Sequence, residues 1–309
     1  MKKKRTWLIL AILLVIISGF YLYPTPRKSF DELYAKVDAE TVASLRDFRQ
    51  AHPARTLDLR GVKWDYVSLG EGSETILFLH GMTGAYDIWW QQMEALQDRY
   101  RVISVTYPTV NSLGEMEQAV MAILEAQGVE QFHVVGSSLG GYFAQYLVAR
   151  HPDKIQSAVF ANTFPPNDIL AEENKTIGTL LPYLPEWLVM NVLSGSMRES
   201  VYPASGDSEL ALAFGLEQTY GRMSKAQVVG RFHCVVEPFE APDLAALGIP
   251  ALIIEADNDP LVEKTLREQL KQTYPTAGVV TLSNGHFPYL SMPETYTQIL
   301  REFFAEETP

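Results

Sequence analysis

The 309-residue sequence predicts an α/β protein, a mostly parallel, doubly wound sheet with an inserted helical cap, preceded by an N-terminal transmembrane helix. Three observations carry that expectation. Short apolar runs of about five residues, the length of buried strands, alternate with helix-spaced stretches from Lys63 onward. Between Phe164 and Pro238 the alternation stops, and apolar helix-like pieces follow one another with no clear strand. Near the start, Trp7–Tyr23 (WLILAILLVIISGFYLY) is an uncharged apolar run of 17 residues.

Composition sets the outer limits. With 47% hydrophobic and 20% charged residues, the chain can build a large core and is not of the disordered class. Its one cysteine, Cys234, allows neither an internal disulfide nor a cysteine zinc site. Charge is divided unevenly. Residues 1–28 hold six basic residues and no acidic one, which leaves 19 basic against 37 acidic residues and a formal charge of −18 on the remainder. A body that acidic repels phosphate backbones, so nucleic acid is not an expected partner.

The elements follow in order. Lys2-Lys3-Lys4-Arg5 precedes the apolar run, which spans about 25 Å as a helix. Trp7, Tyr21 and Tyr23 fall where interfacial aromatics belong. The basic cluster stays cytoplasmic under the positive-inside rule and places the rest of the chain in the periplasm or on the cell surface. A cleaved signal peptide is the competing reading, but Ser18-Gly19 is followed by bulky Phe20, Tyr21 and Leu22 rather than a small-residue site. A buried core helix is the third. Pro24 and Pro26 end the helix. Ser29–Gln50 has helical spacing (Phe30, Leu33, Val37, Val42, Leu45, Phe48) and a capping box of Ser29 with Glu32, which predicts an amphipathic helix between membrane and core. Strands are expected at Lys63–Leu69, Thr75–Leu79, Arg101–Thr106, Gln131–Val135, Ile155–Ala161, Ala251–Glu255 and Ala277–Leu282. Helices are expected near Leu113–Gln127, Leu139–Arg150, Glu263–Tyr274 and Pro293–Phe304. The cap pieces are Ile177–Leu184, Trp187–Leu193, Glu209–Tyr220 and Ala226–Val235. The resulting divisions are 1–28 for the basic cluster and anchor, 29–60 for the amphipathic helix and linker, 61–163 with 239–309 for the core, and 164–238 for the cap.

Four segments carry chemistry. Gly136-Ser137-Ser138-Leu139-Gly140 is G-x-S-x-G between an expected strand and an expected helix, the context in which Ser138 would be a nucleophile on a sharp turn. The Leu139 amide, at the helix N-terminus, could then stabilise an oxyanion. His80-Gly81-Met82-Thr83-Gly84 follows a strand, and the Met82 amide is the candidate second donor. His80 itself reads as a histidine holding that loop rather than as a base. Asp259 follows the strand Ala251–Glu255, with Asp257 as the alternative carboxylate. His286, in Ser283-Asn284-Gly285-His286-Phe287-Pro288, is the candidate general base and acid near neutral pH. His52, His133, His151 and His233 read as structural. Trp89-Trp90 and Trp187 read as core, or as lining for an apolar acyl pocket.

In this order the segments resemble the α/β-hydrolase superfamily from about Lys63 to Phe304. The resemblance implies an eight-stranded sheet, a Ser138–Asp259–His286 triad, an oxyanion hole from the Met82 and Leu139 amides, and no cofactor. A second resemblance, to the maspardin family, runs through Arg101-Val-Ile with Tyr107-Pro108, Gly136–Gly141, Asn162-Thr-Phe, Cys234–Pro238 and Phe287–Leu290. That family has lost triad members and works in binding, whereas Asp259 and His286 are kept here. Serine at the nucleophile position excludes the haloalkane dehalogenase and epoxide hydrolase chemistries, which use aspartate. The expectation is therefore a membrane-anchored serine hydrolase acting on small-molecule or lipid-like carboxylic esters. Its alternatives are a non-catalytic binding protein and an amide or carbon–carbon bond hydrolase with the same triad.

Overall fold

The computed structural model describes residues 2–306; Met1 and residues 307–309, the extreme ends of the expected anchor and core segments, lie outside the described residues. The chain opens with α1 (Lys2–Tyr21). It is the one described helix long and apolar enough to cross a membrane, and none of its apolar window is buried in the body. The single helix expected over Ser29–Gln50 is instead two, α2 (Phe30–Leu33) and α3 (Ala39–Ala51). The Ser29–Glu32 capping box forms as expected. Asp38 then starts a second helix by accepting a hydrogen bond from the Thr41 amide, so the chain turns between them. Leu45 and Phe48 of α3 are fully buried in the body.

Eight strands form one sheet: β1 (Arg55–Leu59), β2 (Val62–Leu69), β3 (Thr75–Leu79), β4 (Arg101–Thr106), β5 (Phe132–Ser137), β6 (Ile155–Ala161), β7 (Ala251–Ala256) and β8 (Gly278–Leu282). Their spatial order is β1-β2-β4-β3-β5-β6-β7-β8. β2 pairs antiparallel with both β1 and β4, and the remaining pairings are parallel. β1 is the strand that residue patterning missed. It joins β2 through Arg60-Gly61, both at positive φ (55° and 83°), the backbone of a tight hairpin turn. Its exposed edge position gives no continuous apolar run to read.

Alternate residues of β3 feed two cores. Leu77 and Leu79 join one face with α5 (Leu113–Ala126) and α6 (Leu139–Arg150). Ile76 and Phe78 join the other with α3 and Trp90 and Met93 of α4 (Trp90–Leu96). A strand buried on both faces is what a central parallel strand requires. Between β6 and β7 the chain runs through α7 (Ile169–Glu173), α8 (Lys175–Leu180), α9 (Glu186–Ser196), α10 (Tyr202–Ala204), α11 (Glu209–Glu217), α12 (Lys225–Val235) and α13 (Leu244–Leu247), with no strand. After β7 come α14 (Lys264–Thr273), then β8, α15 (Pro288–Ser291) and α16 (Pro293–Glu306). The loops leaving β3, β5, β6, β7 and β8 all emerge at the carboxyl ends of parallel strands, where open α/β sheets hold their ligands.

Candidate active site

Ser138 sits between the end of β5 and the start of α6 with φ 56° and ψ −123°. A non-glycine residue held there costs about 1–3 kcal/mol and must be fixed by its surroundings. The fixing groups are visible. The Ser138 amide donates to Ala161 O at 2.9 Å, and its carbonyl accepts from Thr163 Oγ1 at 2.7 Å and from the Tyr142 amide at 2.9 Å. The flanking glycines let the turn close. A Cβ on Gly136 would lie 2.1 Å from Gly140 O, and one on Gly140 would lie 2.1 Å from Leu79 O. The side chain of Ser138 stays half-buried at this tip.

Asp259 and His286 meet at the ends of β7 and β8. His286 Nδ1 lies 2.9 Å and 3.0 Å from the two Asp259 oxygens. That contact requires the proton on Nδ1 and leaves Nε2, which bonds to no described residue, as the acceptor. Both side chains are buried. Asp259 Oδ1 also accepts from the Leu261 amide (2.9 Å) and the Val262 amide (3.2 Å). Burial pushes the Asp259 carboxyl up, but His286 and the hydrogen bonds from His286, Asn162 and Leu261 outweigh it and hold the group below the usual carboxylate range. Asp257, the alternative acid, is exposed, and its carbonyl accepts from Arg267 Nη2 at 3.0 Å. It makes no hydrogen bond to His286.

The loop after β3 passes over the Ser138 turn. A Cβ on Gly81 would stand 3.0 Å from Ser138 Cβ and 3.6 Å from its Oγ, so the loop backbone just before Met82 closes on that side chain. Among the described residues no acceptor meets the Met82 amide. The Leu139 amide, first in α6, has no intrahelical partner. His80 is structural, as its position predicts. Its Nδ1 donates to Gly81 O at 2.7 Å and its Nε2 accepts the Tyr107 amide at 3.3 Å. Burial and then the nearby Arg231 charge hold His80 well below the usual imidazole range, so it stays neutral.

Two residues that sequence reading did not single out complete the arrangement. Asn162, just past β6 with φ 42°, donates to Asp259 Oδ2 at 2.9 Å and to Gly285 O at 3.2 Å. One side chain thus ties the acid loop to the histidine loop. An asparagine at a strand end, tolerant of positive φ, was the available signal. Arg231, from α12, is 1% exposed. It donates through Nη1 to Met82 O (2.6 Å) and Gly84 O (3.2 Å), and through Nη2 to Tyr107 O (2.6 Å). No local signal marks a helix arginine as buried. The other histidines lie apart from the site: His133 Nδ1 contacts Ser157 Oγ, and His151 Nε2 contacts Glu117. Among the described residues no group of three or more His, Cys, Asp or Glu is arranged to hold a metal ion.

The chain matches the family model of the alpha/beta hydrolase fold over residues 74–195. It is 31% identical over 114 residues to the dihydrolipoyllysine-residue acetyltransferase component of the acetoin cleaving system of Cupriavidus necator, and there spans 34% of this chain and only 30% of that protein. It is 26% identical to maspardin of Danio rerio over 242 residues, 74% of each chain. To the pimeloyl-acyl-carrier protein methyl ester esterase of Aeromonas hydrophila it is 27% identical over 273 residues, 76% of this chain and 96% of that one. A bacterial membrane phospholipase A has the same fold at TM-score 0.65 and 20% identity, over 98% of this chain and 99% of that one. The family match over residues 74–195, the strand order and the structural neighbours agree that the chain has the α/β-hydrolase fold.

Proposed function

We propose that the protein is a membrane-anchored serine hydrolase that cleaves carboxylic esters through an acyl-enzyme on Ser138. The hydrogen-bonded Asp259–His286 pair carries this reading. It is the acid–base unit that a serine needs, and it stands at the same sheet edge as the strained Ser138 turn. His286 Nε2 takes the Ser138 proton as Oγ adds to the ester carbonyl, and Asp259 stabilises the imidazolium that results. The tetrahedral oxyanion is met by the Met82 and Leu139 amides, the second aided by the N-terminus of α6. His286 then returns the proton to the departing alcohol, and a water activated by the same nitrogen releases the acid. The relation to a methyl ester esterase and the phospholipase neighbour support an ester substrate.

α1 has 20 residues, about 30 Å of helix, enough to cross a bilayer core. Its basic start stays cytoplasmic, so the catalytic body faces the periplasm or cell surface. The test is fluorophosphonate labelling of the full chain in detergent, beside Ser138→Ala and His286→Ala, followed by aryl esters of increasing acyl length. Labelling that is lost in both variants is the expected result. A folded wild-type chain that takes no label overturns the catalytic reading and favours a binding role.

A further inference from the structure

α1 stands clear of the body along its length, yet its last turn does not. Tyr21 Oη donates to Tyr183 O at 2.7 Å, and Trp187 Nε1 donates to Phe20 O at 2.8 Å. The Trp187 ring meets Phe20 edge-on at 5.3 Å and Tyr23 at 5.6 Å. The point where α1 ends is therefore fastened to the cap, at the turn joining α8 to α9. Around that turn large apolar side chains face outward: Ile177 is 44%, Leu180 50% and Tyr183 70% exposed. Ile177 and Leu180 are three residues apart on α8 and share one side of it. The end of α1 thus meets the cap at the turn that carries these side chains.

We propose that this α8–α9 face rests in the interfacial layer of the bilayer that α1 spans, and that the site takes its ester from that bilayer as an acylated amphiphile. The inference rests on the reading of α1 as a membrane anchor. If Tyr21 and Tyr23 sit at the interface, residues bonded to them sit at the same depth. Trp187 and Tyr183 are the residue types that prefer that layer, with an apolar body and a polar tip. Exposed apolar surface of this kind marks a contact site rather than ordinary solvent surface. Charge selects the orientation. The body after residue 28 carries −18, which keeps its general surface off anionic lipid, whereas the α8–α9 turn carries the cations Lys175 and Lys225 beside Glu186 and is the part that can approach. An acyl chain then moves a short distance from bilayer to cap without crossing water.

The experiment uses the full chain in phospholipid nanodiscs, with single cysteines carrying an environment-sensitive fluorophore at Leu180→Cys, Leu14→Cys and Ser73→Cys. The native thiol, Cys234, is buried. Ser73 lies before β3, at the opposite end of the sheet from the site. Quenching by spin-labelled lipid at positions 14 and 180, with position 73 open to aqueous iodide, is the expected result. Position 14 in lipid with position 180 open to iodide overturns the proposal and leaves the anchor intact. Position 14 in water overturns the anchor reading itself. Position 180 shielded from both quenchers identifies a protein, including a second copy, as the occupant and also overturns the proposal. A kinetic readout accompanies it: the combined change Ile177→Ser, Leu180→Ser and Tyr183→Ser lowers the ratio of rates on bilayer-embedded and soluble esters about tenfold. An unchanged ratio counts against a bilayer-derived substrate.

Discussion

Asn162 shows how much the site depends on groups that never meet substrate. Its amide nitrogen bonds both Asp259 Oδ2 and Gly285 O, so it sets the separation of the acid and histidine loops. A hydrogen bond to a charged group contributes about 1.5–3 kcal/mol, so Asn162→Ala should lower kcat/KM about 10- to 100-fold with the fold retained. Because the Asn162 bond helps depress the Asp259 carboxyl, that carboxyl should also titrate at higher pH in the variant, a shift that a purely structural role would not produce. His133 gives a stability prediction of the opposite kind. Burial lowers it to about 4, and its Nε2 has no hydrogen-bond partner. Below pH about 6.5 the unfolded chain takes a proton that the folded chain refuses. Stability should therefore fall as pH drops from about 6.5 to about 4, by an amount on the order of 3 kcal/mol. Thermal melts of wild type and His133→Gln across that window check it: the variant should show a flatter dependence.

At the scale of elements, the sharp turn at Ser138 was legible because its signal is local. Gly136, Ser138 and Gly140 lie within five residues, and each glycine answers a contact that a Cβ would break. Asp259 and His286 were legible by their place after apolar strands. The split of α2 from α3 was not, because continuous helical spacing hides a single capping aspartate, Asp38. Nor was the role of α12. Its Gly230 lies against Val110, whose carbonyl would stand 1.7 Å from an added Cβ, so the helix is pressed onto the loop after β4. From there Arg231 reaches the carbonyls of Met82, Gly84 and Tyr107. Burial lowers its guanidinium to about 10, which still leaves it charged at neutral pH. Arg231→Met would strand the Met82 and Gly84 carbonyls, leave Tyr107 O to Gln227 Nε2 alone, and free the loop that carries the Met82 amide. The expected result is a 10- to 100-fold loss in kcat with KM little changed, scaled on the loss of one oxyanion donor. Arg231→Lys should recover only part, since an ammonium lacks the planar fork. Equal losses in 1/KM would instead indicate a substrate contact.

The whole molecule is joined by one cluster that no stretch of sequence announces. Asp87, fully buried, accepts from Arg49 Nε at 2.7 Å and Arg222 Nη1 at 2.8 Å. Arg49 also grips both Glu217 oxygens (3.0 and 2.8 Å), and Tyr34 Oη donates to Glu217 at 2.8 Å. Tyr34 and Arg49 come from the chain between α1 and the sheet, Asp87 from the segment after the Met82 loop, and Glu217 and Arg222 from the cap. The partners are as much as 183 residues apart, so their pairing is a product of the fold and could not be read beforehand. Burial pushes Asp87 up, but Arg222 and Arg49 overcome it and hold the carboxyl below its usual range. For a depressed carboxylate the stabilisation is present above the unfolded value and lost as pH falls through the folded one. Asp87→Asn removes the buried charge shared by two arginines, a change that costs about 3–5 kcal/mol when one partner of a buried pair is deleted. The loss should be regional. Hydrogen exchange of the full chain should show faster opening of α3 and α11, with α5 and the central strands protected. Uniform acceleration would mean that the cluster stabilises the core at large; selective opening would establish it as the clasp that holds the cap and the α2–α3 segment to one body.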